Sequence, residues 1–108
     1  MRIVRNTYLS LGSNLGDRLQ NLQNAVNMLA EKCGHISTIS SVYESKSWGF
    51  ESDNFYNICL KLSTYLNPEI LLEKILTIEN DLGRQRTKDK SYRARTIDID
   101  ILFFDDEI

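Results

Sequence analysis

The chain has little of several things, and each shortage excludes a class of protein. It has two cysteines, Cys33 and Cys59, and one histidine, His35. No CxxC spacing occurs, so a structural zinc site is not expected. Two buried free thiols in a reducing compartment fit better. His35 has no partner nucleophile in the pattern and reads as a surface or turn residue. No apolar run approaches the ~20 residues of a membrane span. The start, Met1-Arg2-Ile3-Val4-Arg5-Asn6, lacks the apolar segment of a signal peptide. The expectation is a cytoplasmic protein that engages no membrane. Net charge is also nearly absent, at -2, so nothing draws the whole surface toward nucleic acid. No repeat, low-complexity tract or linker interrupts the 108 residues. That length, with 42% hydrophobic residues, predicts a single domain over residues 1–108 with one modest core.

What is present is unevenly distributed. The segment 84–95, RQRTKDKSYRAR, holds six Lys or Arg and one Asp, a local charge of +5 that leaves -7 for the rest. Four of those six cations are Arg, which offers bidentate hydrogen bonds to phosphate and stays charged at any working pH. Such a concentration suits a small anionic ligand better than a broad duplex, and an Arg-rich loop can close over a polyphosphate. Immediately after it comes Arg95-Thr96-Ile97-Asp98-Ile99-Asp100-Ile101. A strand has period two, so Asp98 and Asp100 share a face, about 6.6 Å apart along the chain. Ile97, Ile99 and Ile101 point the other way, toward a core. Asp is disfavoured in strands, so two in a β-branched run call for a reason. Mg²⁺ supplies one, since it takes one or two carboxylates together with phosphate oxygens and water.

The remaining pattern alternates strand and helix. Thr7 to Leu11 reads as a strand ending at Gly12-Ser13-Asn14. From Asp17, Leu19, Leu22, Val26 and Leu29 recur at helical spacing, and Gly34 is placed to end the helix in a left-handed conformation. Ile36 to Ser45 is β-branched and predicts one strand. Trp48 to Asn54 reads as a loop. Phe55 to Ser63 alternates, with Ile58, Leu60 and Leu62 on one face and Asn57, Cys59 and Lys61 on the other. Asn67-Pro68-Glu69 opens a helix with a cap, a first-turn proline and an acid. Leu71, Ile75, Ile78 and Leu82 stripe that helix, Gly83 stops it, and Thr96 to Phe104 forms the last strand.

The order β-α-β-β-α-β predicts an α+β, ferredoxin-like fold: a four-stranded antiparallel sheet with two helices on one face. The first and third strands would be central. The open face would then carry Tyr8, Ser10, Asn57, Asp98 and Asp100. The Asn57 amide offers donor and acceptor to a heterocycle edge. Phe55, Tyr56, Trp48 and Tyr92 are able to stack on a ring. Two acids and no aromatic pair on that face argue against single-stranded RNA. Gly12-Ser13-Asn14-Leu15-Gly16-Asp17-Arg18 is neither a Walker A loop nor a dinucleotide fingerprint. It reads as a turn with a helix cap whose N–H groups are able to meet an anion.

Four segments in order carry a resemblance: Leu11 to Arg18, Phe55-Tyr56-Asn57, Glu79 with Leu82-Gly83-Arg84-Gln85-Arg86, and Arg93 to Ile101. Together they resemble the 6-hydroxymethyl-7,8-dihydropterin pyrophosphokinase family of folate biosynthesis, over essentially the whole chain. The resemblance implies that the pterin hydroxymethyl oxygen attacks the β-phosphorus of ATP and AMP leaves. Asp98 and Asp100 would ligate two Mg²⁺ ions. Arg84 and Arg95 would stabilise charge on the transferring group. Asn57 would read the pterin edge, Phe55 would stack on its ring, and Ser45, Lys46 and Trp48 would line its pocket. Glu79 and Ile101 would lie near the ATP nucleoside. Tyr92 stands where the family often has Trp.

The resemblance also implies a departure. Family members usually continue for roughly fifty residues, against a usual domain size of ~100–150. That segment brings a His, an Arg and a second stacking aromatic. Its absence would remove one wall of the pterin pocket. Two alternatives to a complete enzyme follow: a weakly active or inactive binding module of the same fold, or a homo-oligomer whose partner covers the open sheet face.

Overall fold

The computed structural model describes residues 3–46, 53–83 and 96–104. The polar-apolar alternation of the sequence becomes strands β1 (Arg5–Ser13), β2 (His35–Ile39), β3 (Tyr43–Ser45), β4 (Phe55–Thr64) and β5 (Asp98–Phe104). The 3.6-residue periodicity becomes helices α1 (Arg18–Lys32) and α2 (Pro68–Leu82). Both helices start as their caps dictate. The Asp17 carboxylate accepts the Gln20 N–H at 3.1 Å, and the Asn67 side-chain oxygen accepts the Ile70 N–H at 2.9 Å.

All pairings are antiparallel, and the sheet order is β2-β4-β1-β5, with β3 also paired to β4. The fold is the expected α+β ferredoxin-like arrangement with central strands β1 and β4. One expectation is corrected: the sheet has five strands, because Ile36 to Ser45 is not continuous. Its two parts, β2 and β3, lie end to end along β4. The break has a local cause at Ser40. The Ser40 N–H donates to the Cys59 carbonyl at 2.8 Å, and the Cys59 N–H donates to the Ser40 hydroxyl at 2.9 Å. A side chain has taken the acceptor place of the backbone, and the ladder stops.

The core lies between the sheet and the two helices. Leu9 and Leu11 of β1, Ile58, Leu60 and Leu62 of β4, and Ile97 and Ile99 meet Leu22, Ala25 and Leu29 of α1 and Leu71, Ile75 and Ile78 of α2. Each of these Leu and Ile side chains contributes about 1.5–3 kcal/mol relative to exposure, so this layer fixes the strands that carry the open face. Val26 and Leu82 pack at its margin. Leu19 does not join it and is 54% exposed. It lies in the first turn of α1, beside Ile39 and Val42, and the buried row of that helix is Leu22, Ala25 and Leu29.

Gly34 also differs from expectation. Its φ is 158°, far from the left-handed helical value. Glycine is required there because a Cβ would overlap the Ser63 carbonyl oxygen. Thr64 strengthens this docking of α1 onto β4, donating its hydroxyl to the Cys33 carbonyl at 2.7 Å. Among the described residues no helix is long and apolar enough to cross a membrane.

Candidate active site

The register builds the site. Gly12 on β1 lies opposite Asn57 of β4 on one side and Asp98 of β5 on the other. Two residues along, Ser10 lies between Cys59 and Asp100. Directly opposed residues share a sheet face, with Cα atoms about 4.5–5.5 Å apart. Two short rows therefore cross the open face, each running from a neutral group on β4 to a carboxylate on β5. They form a cleft of 210 Å³ lined by Ser10, Gly12, Ser45, Phe55, Asn57, Asp98 and Asp100.

Five of the expected site residues are thus together: Ser45, Phe55, Asn57, Asp98 and Asp100. Gly12 and Ser10 belong to the cleft as well. The sequence pattern gives Ser10 as an open-face residue, whereas it gives Gly12 as part of the turn after the first strand. A glycine inside a strand marks a close approach, and that was the available signal. A Cβ on Gly12 would stand 2.9 Å from Asn57 Oδ1 and 3.3 Å from Phe55 Cδ1. The cleft exists at that point because the side chain is missing.

The Asn57 amide is oriented by its neighbours. Its Nδ2 donates to the Tyr43 carbonyl at 3.3 Å and to the Ser45 hydroxyl at 3.0 Å. Its Oδ1 faces Gly12 and so presents an acceptor to the cleft. Tyr56, between Phe55 and Asn57, packs against the core side and is no ring-stacking candidate for the open face. The Arg18 guanidinium lies 3.8 Å over the Tyr56 ring and donates to the Asn54 carbonyl at 2.9 Å. The start of β4 is therefore tied to the start of α1. The turn between β1 and α1 is itself tightly held: Asn21 Nδ2 donates to Ser13 Oγ at 3.0 Å and to the Leu15 carbonyl at 2.7 Å.

The other expected residues lie elsewhere. Lys46 follows β3 and is exposed. Ile101 pairs with Leu9 and packs against the core, on the sheet face opposite the cleft. Glu79 is on α2, and its carboxylate accepts the Ile99 N–H at 2.6 Å. Trp48, Arg84, Tyr92 and Arg95 are outside the described residues, as is the basic segment 84–95 as a whole.

The two cysteines also part company. Cys33 is buried, and burial pushes its thiol pKa up. Cys59 is only half-buried, which corrects the expectation of two buried thiols. It stands 3.7 Å from the Tyr43 hydroxyl. That hydrogen bond, with some desolvation, raises the Tyr43 phenol pKa, so the hydroxyl stays neutral near pH 7. Among the described residues no three His, Cys, Asp or Glu side chains come together as a metal cluster. Two carboxylates alone suit a hard cation that keeps water or phosphate as its other ligands.

Residues 8–108 match the family model for 7,8-dihydro-6-hydroxymethylpterin-pyrophosphokinase. The chain is 48% identical over 103 residues to the 2-amino-4-hydroxy-6-hydroxymethyldihydropteridine pyrophosphokinase of Aquifex aeolicus, covering 94% of this chain and 62% of that protein. The protein of the same name from Porphyromonas gingivalis is 46% identical over 97 residues, covering 88% and 66%. The one from Bacillus subtilis is 41% identical over 102 residues, covering 93% and 60%. The chain thus spans about three fifths to two thirds of the length of these curated relatives. With a family model matched over nearly its whole length and the expected fold beneath it, the chain belongs to the 7,8-dihydro-6-hydroxymethylpterin-pyrophosphokinase family.

Proposed function

We propose that this chain transfers the pyrophosphoryl group of ATP to 6-hydroxymethyl-7,8-dihydropterin in folate biosynthesis. The hydroxymethyl oxygen bonds to the β-phosphorus, the bond from that phosphorus to the α–β bridging oxygen breaks, the hydroxyl proton is released and AMP leaves. The single observation that carries this reading is the shared cleft. One side offers an oriented amide and an aromatic ring, and the other offers a carboxylate pair.

In this reading Asn57 Oδ1 accepts from the N–H groups of the pterin edge, and Phe55 stacks on its ring. Gly12 leaves room for that ring. Ser45, Lys46 and Trp48 complete the pterin pocket. Asp98 and Asp100 hold Mg²⁺, with two ions implied by the family. Their donor set fits, being all oxygen and anionic. Bound Mg²⁺ supplies neutralisation of triphosphate charge. Arg84 and Arg95 stabilise charge on the transferring group, and Glu79 and Tyr92 lie toward the nucleotide, whereas the Ile101 side chain is packed against the core and does not line the cleft. Positioning and electrostatics of this kind carry most phosphoryl-transfer catalysis. The chain works in the cytoplasm as one domain over residues 1–108.

The test is AMP formation by the 108-residue chain with ATP, Mg²⁺ and the hydroxymethyldihydropterin. Turnover above that of an Asp98→Ala, Asp100→Ala control supports the reading. Turnover equal to the control overturns it, and retained pterin binding in that case would leave a binding module of the same family.

A further inference from the structure

If Asp98 and Asp100 anchor the cation, as proposed above, their spacing depends on the residue between them. Ile99 is buried, and it lies opposite Leu11 of β1. In an antiparallel pair the N–H groups of one strand point alternately toward the partner and away from it. Since the Ile99 N–H donates to Glu79, it is one of those pointing away. Among the described residues β5 is an edge strand, so this N–H sits on the sheet edge, where no further described strand receives it.

Glu79 takes the place of that strand. Its carboxylate accepts the Ile99 N–H at 2.6 Å, a charge-assisted bond and shorter than most backbone pairings. Its base is rigid. Ile75 and Ile78 of the same helix are buried in the core, and α2 packs on β5. The bond grips the peptide unit that joins Asp98 to Ile99. It therefore restrains the backbone torsions on which the directions of both carboxylates depend. An edge strand otherwise leaves such outward N–H groups without a strand partner.

We infer that Glu79 is a positioning residue for the metal site: it holds the β5 backbone between Asp98 and Asp100 so that both carboxylates enter the cleft at a fixed spacing. This role acts through Ile99 and differs from the nucleotide contact that the family resemblance implies for Glu79.

The two roles separate when no nucleotide is present. The experiment titrates the 108-residue chain with Mn²⁺ alone, reading free Mn²⁺ by electron paramagnetic resonance, and follows amide hydrogen exchange at Ile99. Groups that orient metal ligands typically change affinity by about 10–100-fold, so Glu79→Ala is expected to weaken Mn²⁺ binding by that factor. It is also expected to lose the exchange protection of the Ile99 amide. Glu79→Gln keeps a side-chain oxygen acceptor, and is expected to hold Mn²⁺ within about threefold of the unaltered chain. Unchanged Mn²⁺ binding in Glu79→Ala overturns the inference. So does an equal loss in Glu79→Gln, which would assign the effect to charge instead of the hydrogen bond. An Asp98→Ala, Asp100→Ala control stands apart from both outcomes. If it binds Mn²⁺ like the unaltered chain, the metal assignment itself is wrong, whereas a loss in the control alone removes only the role of Glu79.

Discussion

The two sides of the cleft are built by different means. On the β4 side each functional group is fixed by neighbours on both flanks. Asn57 is held through its amide nitrogen by Tyr43 and Ser45, and its strand pairs with β1 on one side and β3 on the other. On the β5 side the carboxylates stand on an edge strand, paired among the described strands only with β1 and tied outward by Glu79. The difference matches the ligands proposed for the two sides. A flat heterocycle is recognised by where its donors and acceptors lie, so the groups that read it must be placed before it arrives. Mg²⁺ demands near-octahedral oxygen geometry, so that side needs charge at a held spacing, and the Glu79 bond to Ile99 braces its strand from outside the sheet.

This contrast is open to breakage in order of effect. The largest change is expected from Asp98→Asn with Asp100→Asn. Loss of the cation-holding charge should cut AMP formation by about 10³-fold, near 4 kcal/mol at 1.36 kcal/mol per tenfold. Pterin binding, read by fluorescence titration, should remain within about threefold, because Asn57 and Phe55 are untouched. Comparable loss of pterin binding would show that the two sides are not separate.

Gly12→Ala should act in the opposite sense. Its Cβ would meet Asn57 Oδ1 at 2.9 Å and Phe55 Cδ1 at 3.3 Å, while Asp98 is not among its nearest neighbours. Overpacking costs about 1–3 kcal/mol, which converts to roughly 5–150-fold weaker pterin binding. Mn²⁺ affinity should not move. A variant that lost Mn²⁺ and kept the pterin would reverse the assignment of the two sides.

Arg18→Met should give the smallest effect. It removes a cation–π contact worth about 0.5–1 kcal/mol and a hydrogen bond worth about 0.5–1.5 kcal/mol from the start of β4. Only part of that loss reaches the cleft, so pterin affinity is expected to fall by roughly 3–10-fold with Mn²⁺ binding preserved. An unchanged affinity would mean that β3 pairing alone places Phe55 and Asn57.

Much of this was legible in the sequence, for reasons that differ by residue. Asp98 and Asp100 were readable because period-two spacing fixes a shared face whatever the rest of the chain does. The start of α2 was readable because Asn67 and Pro68 act locally. The split of Ile36 to Ser45 was not readable, since β-branched composition says nothing of a serine hydroxyl competing for Cys59. Gly12 was missed because its contribution is a missing side chain, visible only once Asn57 and Phe55 are placed beside it. The Glu79 bond to Ile99 was equally hidden. It joins residues 20 apart through a backbone group that carries no sequence signal.

The sheet order has a consequence for how the chain is made. β1 is the first strand, yet it sits between β4 and β5. Asn6 accepts from Ser63 across 57 residues, while Thr7 donates to the Phe103 carbonyl across 96. Loop-closure entropy differs little between such spans, since a doubling costs only about 0.6 kcal/mol. Order of arrival decides instead. At about 5–20 residues per second, synthesis of the roughly forty residues between the ends of β4 and β5 takes ~2–8 s. A nascent chain can therefore hold the β4 side of the cleft while β1 still shows a bare edge to the cell. Among the described strands the one bearing the acids is the last to be made, so the proposed metal-binding side follows the other side of the cleft in time.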